Sequence, residues 1–451
     1  MRTSQGISLL AIVIFVLLTF TYSAQIQALA KYGYAYLGFT RSELRIHVVD
    51  INANSTMLYQ FSLPPETQTT ELIYSSPTGE WIAFILEVDR QNNTQLVYLI
   101  NLATGETRTI TKGYLPDWKR EIGFTAPPQR LAWSPDGRFM AFTLSPKDPK
   151  DKPLTQTYLY NLAENTLTGF TSQQQNDYRF AWSSDSQDLA IFSGVCTAGP
   201  SCQLALRIVE VSTGQVKSQL DITGLYQGSS VIGSTLCRLA WSPNKKFISF
   251  SAGCNSTTGN TPKELYLWEI EAERYIKVTQ FTSGKLGFQY IWADYIPFWQ
   301  SDSDLLFGMR LVTGQNSIYA TYHYQVENQH LNQIATVAIE EWAYNLSEGI
   351  VIYRQVSQEG WAVPEAILSL ESLDDLAVSL SSVPLSDPGC RLSWSPDGQW
   401  FAYFKGYPCS PFGRNLIILS SDNQTVRHYT LQPNTIDGEL FTTPIGWLRM
   451  R

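Results

Sequence analysis

An all-β fold assembled from repeated four-stranded antiparallel sheets is what this sequence predicts, on three observations. Nearly the same fourteen residues are written twice, as CRLAWSPNKKFISF from Cys237 and as CRLSWSPDGQWFAY from Cys390. Their shared register, a bulky anchor followed by a Ser-Pro turn and an apolar strand, recurs at intervals of roughly fifty residues between Ser75 and Trp447. Alternating strand patterns fill those intervals, and no helical period of comparable length occurs after residue 30.

The 451 residues, 44% hydrophobic and 13% aromatic, can bury a large core yet exceed the usual ceiling for a single compact one, a conflict that a repeat array resolves. Charged residues make up only 16% and the formal net charge is -8, so no general basic surface attracts phosphate backbones. Nucleic acid is not an expected partner.

At the N-terminus, Arg2 precedes the uncharged apolar stretch ISLLAIVIFVLLTFTY, which starts at Ile7. Small residues at YSA and ALA then offer signal-peptidase sites after Ala24 or Ala30. The stretch is short against the roughly twenty residues of a bilayer span. Residues 1–30 therefore read as a signal peptide or an uncleaved signal-anchor, and both alternatives stand. No cysteine follows the stretch, which excludes a lipoprotein anchor, and no second stretch is long and apolar enough to cross a membrane. Residues 31–451 are expected outside the cytoplasm as a single domain, secreted, periplasmic or held at the outer face of the cytoplasmic membrane. Membrane contact is expected only through the N-terminal segment, if it is not cleaved.

Within that domain the anchors are Ser75, Trp133, Trp182, Trp241, Trp299, Tyr344, Trp394 and Trp447. A short apolar strand such as RLAW ends at each anchor, and a Ser-Pro-Asp-Gly type turn follows. Pro presets φ, Asp bonds to the turn backbone, and Gly occupies the position where φ is positive. Strands such as RFMAFTL, TQTYLYNL and TLTGFT come next, and tight Thr-Gly turns join the third and fourth strands in LVYLINLATGETRTIT and LALRIVEVSTGQVKSQL. A four-stranded antiparallel sheet repeated this way is a propeller blade. The last anchor has no strands after it, while YGYAYLGF, LRIHVVDI and TMLYQFSL supply three strands with no anchor before them. The two remnants complete one blade. Eight blades are expected, closed by pairing of the C-terminal strand with the N-terminal blade, with seven as runner-up because the unit at Tyr344 is the weakest.

On the Trp-Ser-Pro-Asp-Gly turns the chain resembles the TolB-like, WD-type β-propellers. The resemblance covers nearly all of residues 32–451 and implies an architecture more than a reaction. The chain lacks the Gly-His and Trp-Asp pair of true WD repeats and has more blades than the six usual in the TolB pattern. The anchor tryptophans are expected to pack between blades.

No Gly-x-Ser-x-Gly elbow occurs, so the hydrolase half of the prolyl-oligopeptidase-type enzymes has no counterpart in this sequence. His47, His323, His330 and His428 lie in separate strands or turns without metal-ligand spacing. SPDGQW at Ser395 matches a sialidase box only loosely. No catalytic residue, metal or cofactor is assigned. The reading is a noncatalytic, monomeric propeller acting as a protein-interaction, scaffolding or ligand-sensing module. Its alternative is a propeller hydrolase or lyase whose site is assembled at the channel mouth.

Two residue sets remain. Cys237 and Cys390 each lie four residues before an anchor and each has a second cysteine past the next strand, Cys254 and Cys409, while Cys196 and Cys202 bracket TAGPS. The repeat register selects these three pairs as disulfides within single blades, in the oxidising compartment implied by the N-terminus. Arg130, Arg179, Arg238 and Arg391 each stand three residues before an anchor, at the expected start of an innermost strand. Repeat symmetry puts them on one ring near a mouth of the channel, where planar guanidinium groups suit a small anionic ligand or an acidic protein segment. The alternative is that they pair with carboxylates or strand-end carbonyls of adjacent blades.

Overall fold

The turns after Trp133, Trp182, Trp241 and Trp394 are each fixed by a serine. Ser134 Oγ donates to Asp136 Oδ1 (2.6 Å) and accepts the N–H of Phe139 (2.9 Å). The same pair of bonds recurs at Ser183 with Asp185 and Asp188, at Ser242 with Asn244 and Phe247, and at Ser395 with Asp397 and Trp400. All four serines are buried, so these bonds satisfy a polar group that water does not reach. The fourth turn residue has positive φ: Gly79, Gly137 and Gly398 where the sequence supplies glycine, Ser186 and Lys245 where it does not.

The computed structural model describes residues 32–449 apart from 40–42, 51–54, 115–130, 146–154, 171–174, 197–201, 227–235, 253–263, 280–295, 314–315, 346–349, 358–364, 373–382, 386–388, 406–414, 422–425, 431–440 and a few single positions. The segment expected to be a signal or anchor lies outside these residues. Among them no helix is long and apolar enough to cross a membrane.

The described strands form eight four-stranded antiparallel sheets, here called blades. In blade 1, Phe441–Arg449 pairs with Tyr32–Phe39, which pairs in turn with Glu43–Val49, and that strand with Ser55–Ser62. Blades 2 to 8 follow in chain order, and their first strands are Thr69–Ser75, Leu131–Trp133, Asn176–Trp182, Leu236–Trp241, Ile296–Trp299, Ala338–Asn345 and Gly389–Trp394. The weak anchors Ser75 and Tyr344 thus each end or nearly end the first strand of a complete sheet.

Because side chains alternate across a strand, each blade offers one face to the preceding blade and one to the next. In blade 4, Leu189, Ile191 and Val209 pack with Ala141 and Leu159 of blade 3, whereas Ala190, Phe192, Leu206 and Ile208 pack with Ile248, Phe250 and Trp268 of blade 5. Blade 1 follows the same rule. Its Ile46, Val48 and Leu448 meet Ile82 and Phe84 of blade 2, and its Tyr34, Val49 and Trp447 meet Trp400, Phe404 and Ile418 of blade 8.

One expectation changes. The strands carrying Arg179, Arg238 and Arg391 begin upstream of the arginines, at Asn176, Leu236 and Gly389. Each strand has a bulge beside its arginine, between Asp177 and Arg179, Leu236 and Leu239, and Cys390 and Ser393. A bulge bends the strand and lengthens it by one unpaired residue, so the apolar run visible in the sequence understates the strand.

Candidate functional site

The anchor tryptophans join blades. Trp133 Nε1 donates to the carbonyl of Tyr74 (3.1 Å), Trp182 to Ala132 (3.2 Å), Trp241 to Ala181 (3.0 Å), Trp299 to Ala240 (3.3 Å), Trp394 to Ala343 (3.0 Å) and Trp447 to Ser393 (3.0 Å). Every acceptor is the residue just before the preceding blade's anchor. Ser75 and Tyr344 have no indole to give. At Ser75 the contact is instead a close approach of Gly446 in blade 1 (φ 120°), where an added Cβ would lie 2.9 Å from Ser75 Oγ.

Of the four arginines, Arg130 lies outside the described residues. Arg179 is half-buried in blade 4 between the buried Tyr178 and Phe180. Arg238 and Arg391 are placed by their backbone in blades 5 and 8, and their side chains lie outside the description. Of the cysteines, Cys196 and Cys202 are directly opposite each other at the end of the second and third strands of blade 4. Cys237 and Cys390 lie in first strands, and Cys254 and Cys409 lie outside the described residues.

A buried charge cluster lies at the Arg179 end of blade 4. Arg207 Nη2 is 2.9 Å from Asp177 Oδ1, Ser193 Oγ donates to the same oxygen (2.7 Å), and the Thr157 N–H of blade 3 donates to Asp177 Oδ2 (2.9 Å). Removing one partner of such a pair leaves a buried charge uncompensated, and the Thr157 N–H ties the cluster to blade 3. Its sequence signal was an arginine inside the apolar run LALRIVEV.

Blade 6 brings together a serine, an aspartate and a histidine. Ser301 Oγ donates to Asp304 Oδ2 (2.6 Å), and His323 Nε2 lies 2.8 Å from Asp304 Oδ1. Nucleophilic catalysis needs the histidine between serine and carboxylate, so that it can take the hydroxyl proton. Here the carboxylate stands in the middle, and the serine donates to it and not to the imidazole. Burial pushes the Asp304 carboxyl up, but the hydrogen bonds from Ser301 and His323 and the histidine's charge outweigh it and hold the group below its ordinary value. Among the described residues no group of three or more His, Cys, Asp or Glu is arranged to hold a metal.

A cleft of about 470 Å³ opens between blades 4 and 5 on the face that carries the Ser-Pro turns. Asp188, Lys217 and Ser218 line it from blade 4, and Trp241, Lys245 and Glu273 from blade 5. Asp188 is 5% exposed and receives Lys217 Nζ on Oδ1 (2.7 Å) and Lys245 Nζ on Oδ2 (3.2 Å). Lys217 also reaches Glu210 (3.2 Å), and Lys245 reaches Asp185 (2.6 Å). The hydrogen bond to Asp188 raises the Lys217 ammonium above its ordinary value, and the one to Asp185 does the same for Lys245. Both lysines are therefore charged and already paired.

The origin of the cleft is a substitution in the repeat. Phe139 of blade 3 stacks on Trp182 of blade 4 (centroids 6.5 Å apart), and Phe247 of blade 5 stacks on Trp299 of blade 6 (6.2 Å). The turn serine's hydrogen bond identifies the equivalent residue in blade 4 as Asp188. Trp241 consequently lines the cleft together with a carboxylate and two ammonium groups, where Trp182 and Trp299 stack on a ring. Aligning the turns on their serines would have exposed this exception in the sequence.

No protein-family model matches this chain, and comparison with curated proteins finds no match. Among solved structures, a Mycobacterium tuberculosis puromycin-hydrolyzing peptidase is similar with a TM-score of 0.50 at 10% identity, over 81% of this chain and 54% of that one. An oligogalacturonate lyase from Vibrio parahaemolyticus gives 0.46 at 12% identity, over 88% and 97%. TolB from Acinetobacter baumannii gives 0.34 at 15% identity, over 78% and 80%. At such identities likeness speaks to the fold alone. This chain is a β-propeller of four-stranded antiparallel blades.

Proposed function

We propose that the protein is a noncatalytic propeller working outside the cytoplasm as a protein-interaction, scaffolding or ligand-sensing module. The observation that carries this reading is the engagement of its polar residues in building and joining blades: anchor indoles bond carbonyls of the preceding blade, turn serines bond amides of their own turn, and Arg207 bonds Asp177 inside blade 4. The Ser301, Asp304 and His323 grouping has the wrong order for a nucleophile. The apolar stretch from Ile7 and the opposed Cys196 and Cys202 favour an oxidising compartment.

The finer architecture belongs to the same reading. The eight sheets form one ring, closed where Phe441–Arg449 pairs with Tyr32–Phe39; the packing of blade 1 against both blade 2 and blade 8 supports it. Bridges join Cys196 with Cys202, Cys237 with Cys254 and Cys390 with Cys409. Arg130, Arg179, Arg238 and Arg391 stand near the mouth opposite the Ser-Pro turns, where they receive a small anionic ligand or an acidic segment of a partner.

Two assays test this together. The purified protein is screened for turnover of peptides and glycans with and without divalent metal, and for binding of anionic metabolites and acidic peptides. No turnover is expected, together with binding of an anion that is lost on replacing Arg179 and Arg238 by Gln while the melting temperature holds. Reproducible turnover would establish a hydrolase or lyase instead. A large loss of stability with no anion bound by the unmodified protein would make the arginines structural.

A further inference from the structure

The cleft between blades 4 and 5 is a second site, independent of the arginines. Asp188 and Trp182 stand at the turn end of the blade 4 sheet, whereas Arg179 lies about 10 Å back along the first strand. Three properties of the cleft define what fits it. The first is shape: the repeat places an aromatic ring over the next anchor indole in blades 3 and 5, and among the described residues no such ring lies over the half-buried Trp241. The second is charge. Both lining ammonium groups are held by Asp188, Asp185 and Glu210. Glu271 and Glu273 are exposed on the opposite wall and have no ion-pair partner among the described residues. The lining as a whole is net negative.

The third is polarity at the wall. Ser218 Oγ is buried in the cleft lining and has no hydrogen-bond partner among the described residues. Lys245 (φ 59°) and Glu273 (φ 50°) both line the cleft in the left-handed region, where the equivalent turns use glycine at Gly79, Gly137, Gly398, Gly105 and Gly214 and a neutral polar residue at Ser186, Asn165 and Gln329. A side chain there costs roughly 1 kcal/mol or more against glycine. Such strain gathers at functional positions, and in blade 5 it sets one cationic and one anionic side chain at the cleft.

We propose that this cleft binds a planar ring carrying a cationic group, with the ring stacked against Trp241 and the cation toward Glu271 and Glu273. The ring replaces the phenylalanine that the repeat supplies elsewhere, and the cation answers the excess of carboxylates. Stacking on indole and a cation beside carboxylates reinforce each other, because the rim is partly shielded from water. A carboxylate on the same ring would meet Glu271 and Glu273 and be rejected. The source is either a free arylalkylamine or an aromatic residue next to a basic one on a peptide.

Calorimetric titration with tyramine, 3-phenylpropionate and butylamine tests the chemistry, and acetyl-Phe-Lys-amide distinguishes a peptide source from a free amine. Tyramine is expected to bind more tightly than either of the other small probes, and a peptide preferred over tyramine would assign the source to a protein partner. Asp188→Phe installs the residue that blades 3 and 5 carry at this position and should abolish tyramine binding without lowering the melting temperature. Glu273→Gly relieves the left-handed side chain and removes a carboxylate, so it should fold at least as well and weaken tyramine about two- to fivefold. The Glu273→Gly result stands even if Asp188→Phe fails to fold. Tyramine binding no tighter than 3-phenylpropionate, or unaffected by Glu273→Gly and by a folded Asp188→Phe, would overturn the proposal.

Discussion

A single indole nitrogen does much of the work of joining neighbouring blades. Trp133 is 8% exposed, and its N–H reaches the Tyr74 carbonyl across the joint. Replacing it with Phe keeps most of the buried ring but leaves that carbonyl unpaired. We expect a loss of about 1 to 3 kcal/mol, against about 3 to 5 kcal/mol for Trp133→Ala, which also opens a cavity. Urea denaturation of the two variants checks both the order and the gap. At Asp304 the prediction concerns pH. Its folded carboxyl is held below the ordinary value, so the stability it contributes is complete above the unfolded value and lost as pH falls through the folded one. Asp304→Asn should therefore flatten the stability curve below about pH 4 while leaving the alkaline limb unchanged. An unchanged acid limb would mean that the pair with His323 contributes nothing to folding.

At the scale of the blade, four strands, their turns and the anchors were legible because each rests on local chemistry: a serine, a proline and a glycine at fixed offsets before an alternating strand. What could not be read were the partners brought together from different strands. Asp177 and Arg207 are thirty residues apart and meet through two hairpins. Asp188 looks like one more turn polar residue until its equivalence to Phe139 and Phe247 places it on the inter-blade face. The bulges that push strand starts upstream of the arginines also leave no simple sequence mark. Within blade 4 the opposed Cys196 and Cys202 permit a bridge, since opposed residues of an antiparallel pair have Cα atoms about 4.5 to 5.5 Å apart, inside the range a disulfide spans. A nonreduced digest should yield Cys196 and Cys202 in one linked peptide, and likewise Cys237 with Cys254 and Cys390 with Cys409. Links between different blades would contradict the repeat register.

For the whole molecule, the joints are not uniform. Six are closed by an indole, and the approach of blade 1 to blade 2 relies on Gly446 lying against Ser75. That joint also carries a continuous apolar contact from Ala35, Ile46 and Leu448 to Phe84 and Tyr98. Blade 1 is made from both ends of the described chain, so in the proposed ring its pairing governs whether the remaining edges are covered. Hydrogen exchange on the full-length protein and on a chain lacking residues 440–451 tests this most directly. With the ring as proposed, amides of residues 32–39 and 441–449 exchange slowly and as one unit in the full-length protein, and the shortened chain loses protection at 32–39 and at 69–75 in blade 2. Protection at 32–39 and 69–75 that is the same in both chains would contradict the closure on which the account rests.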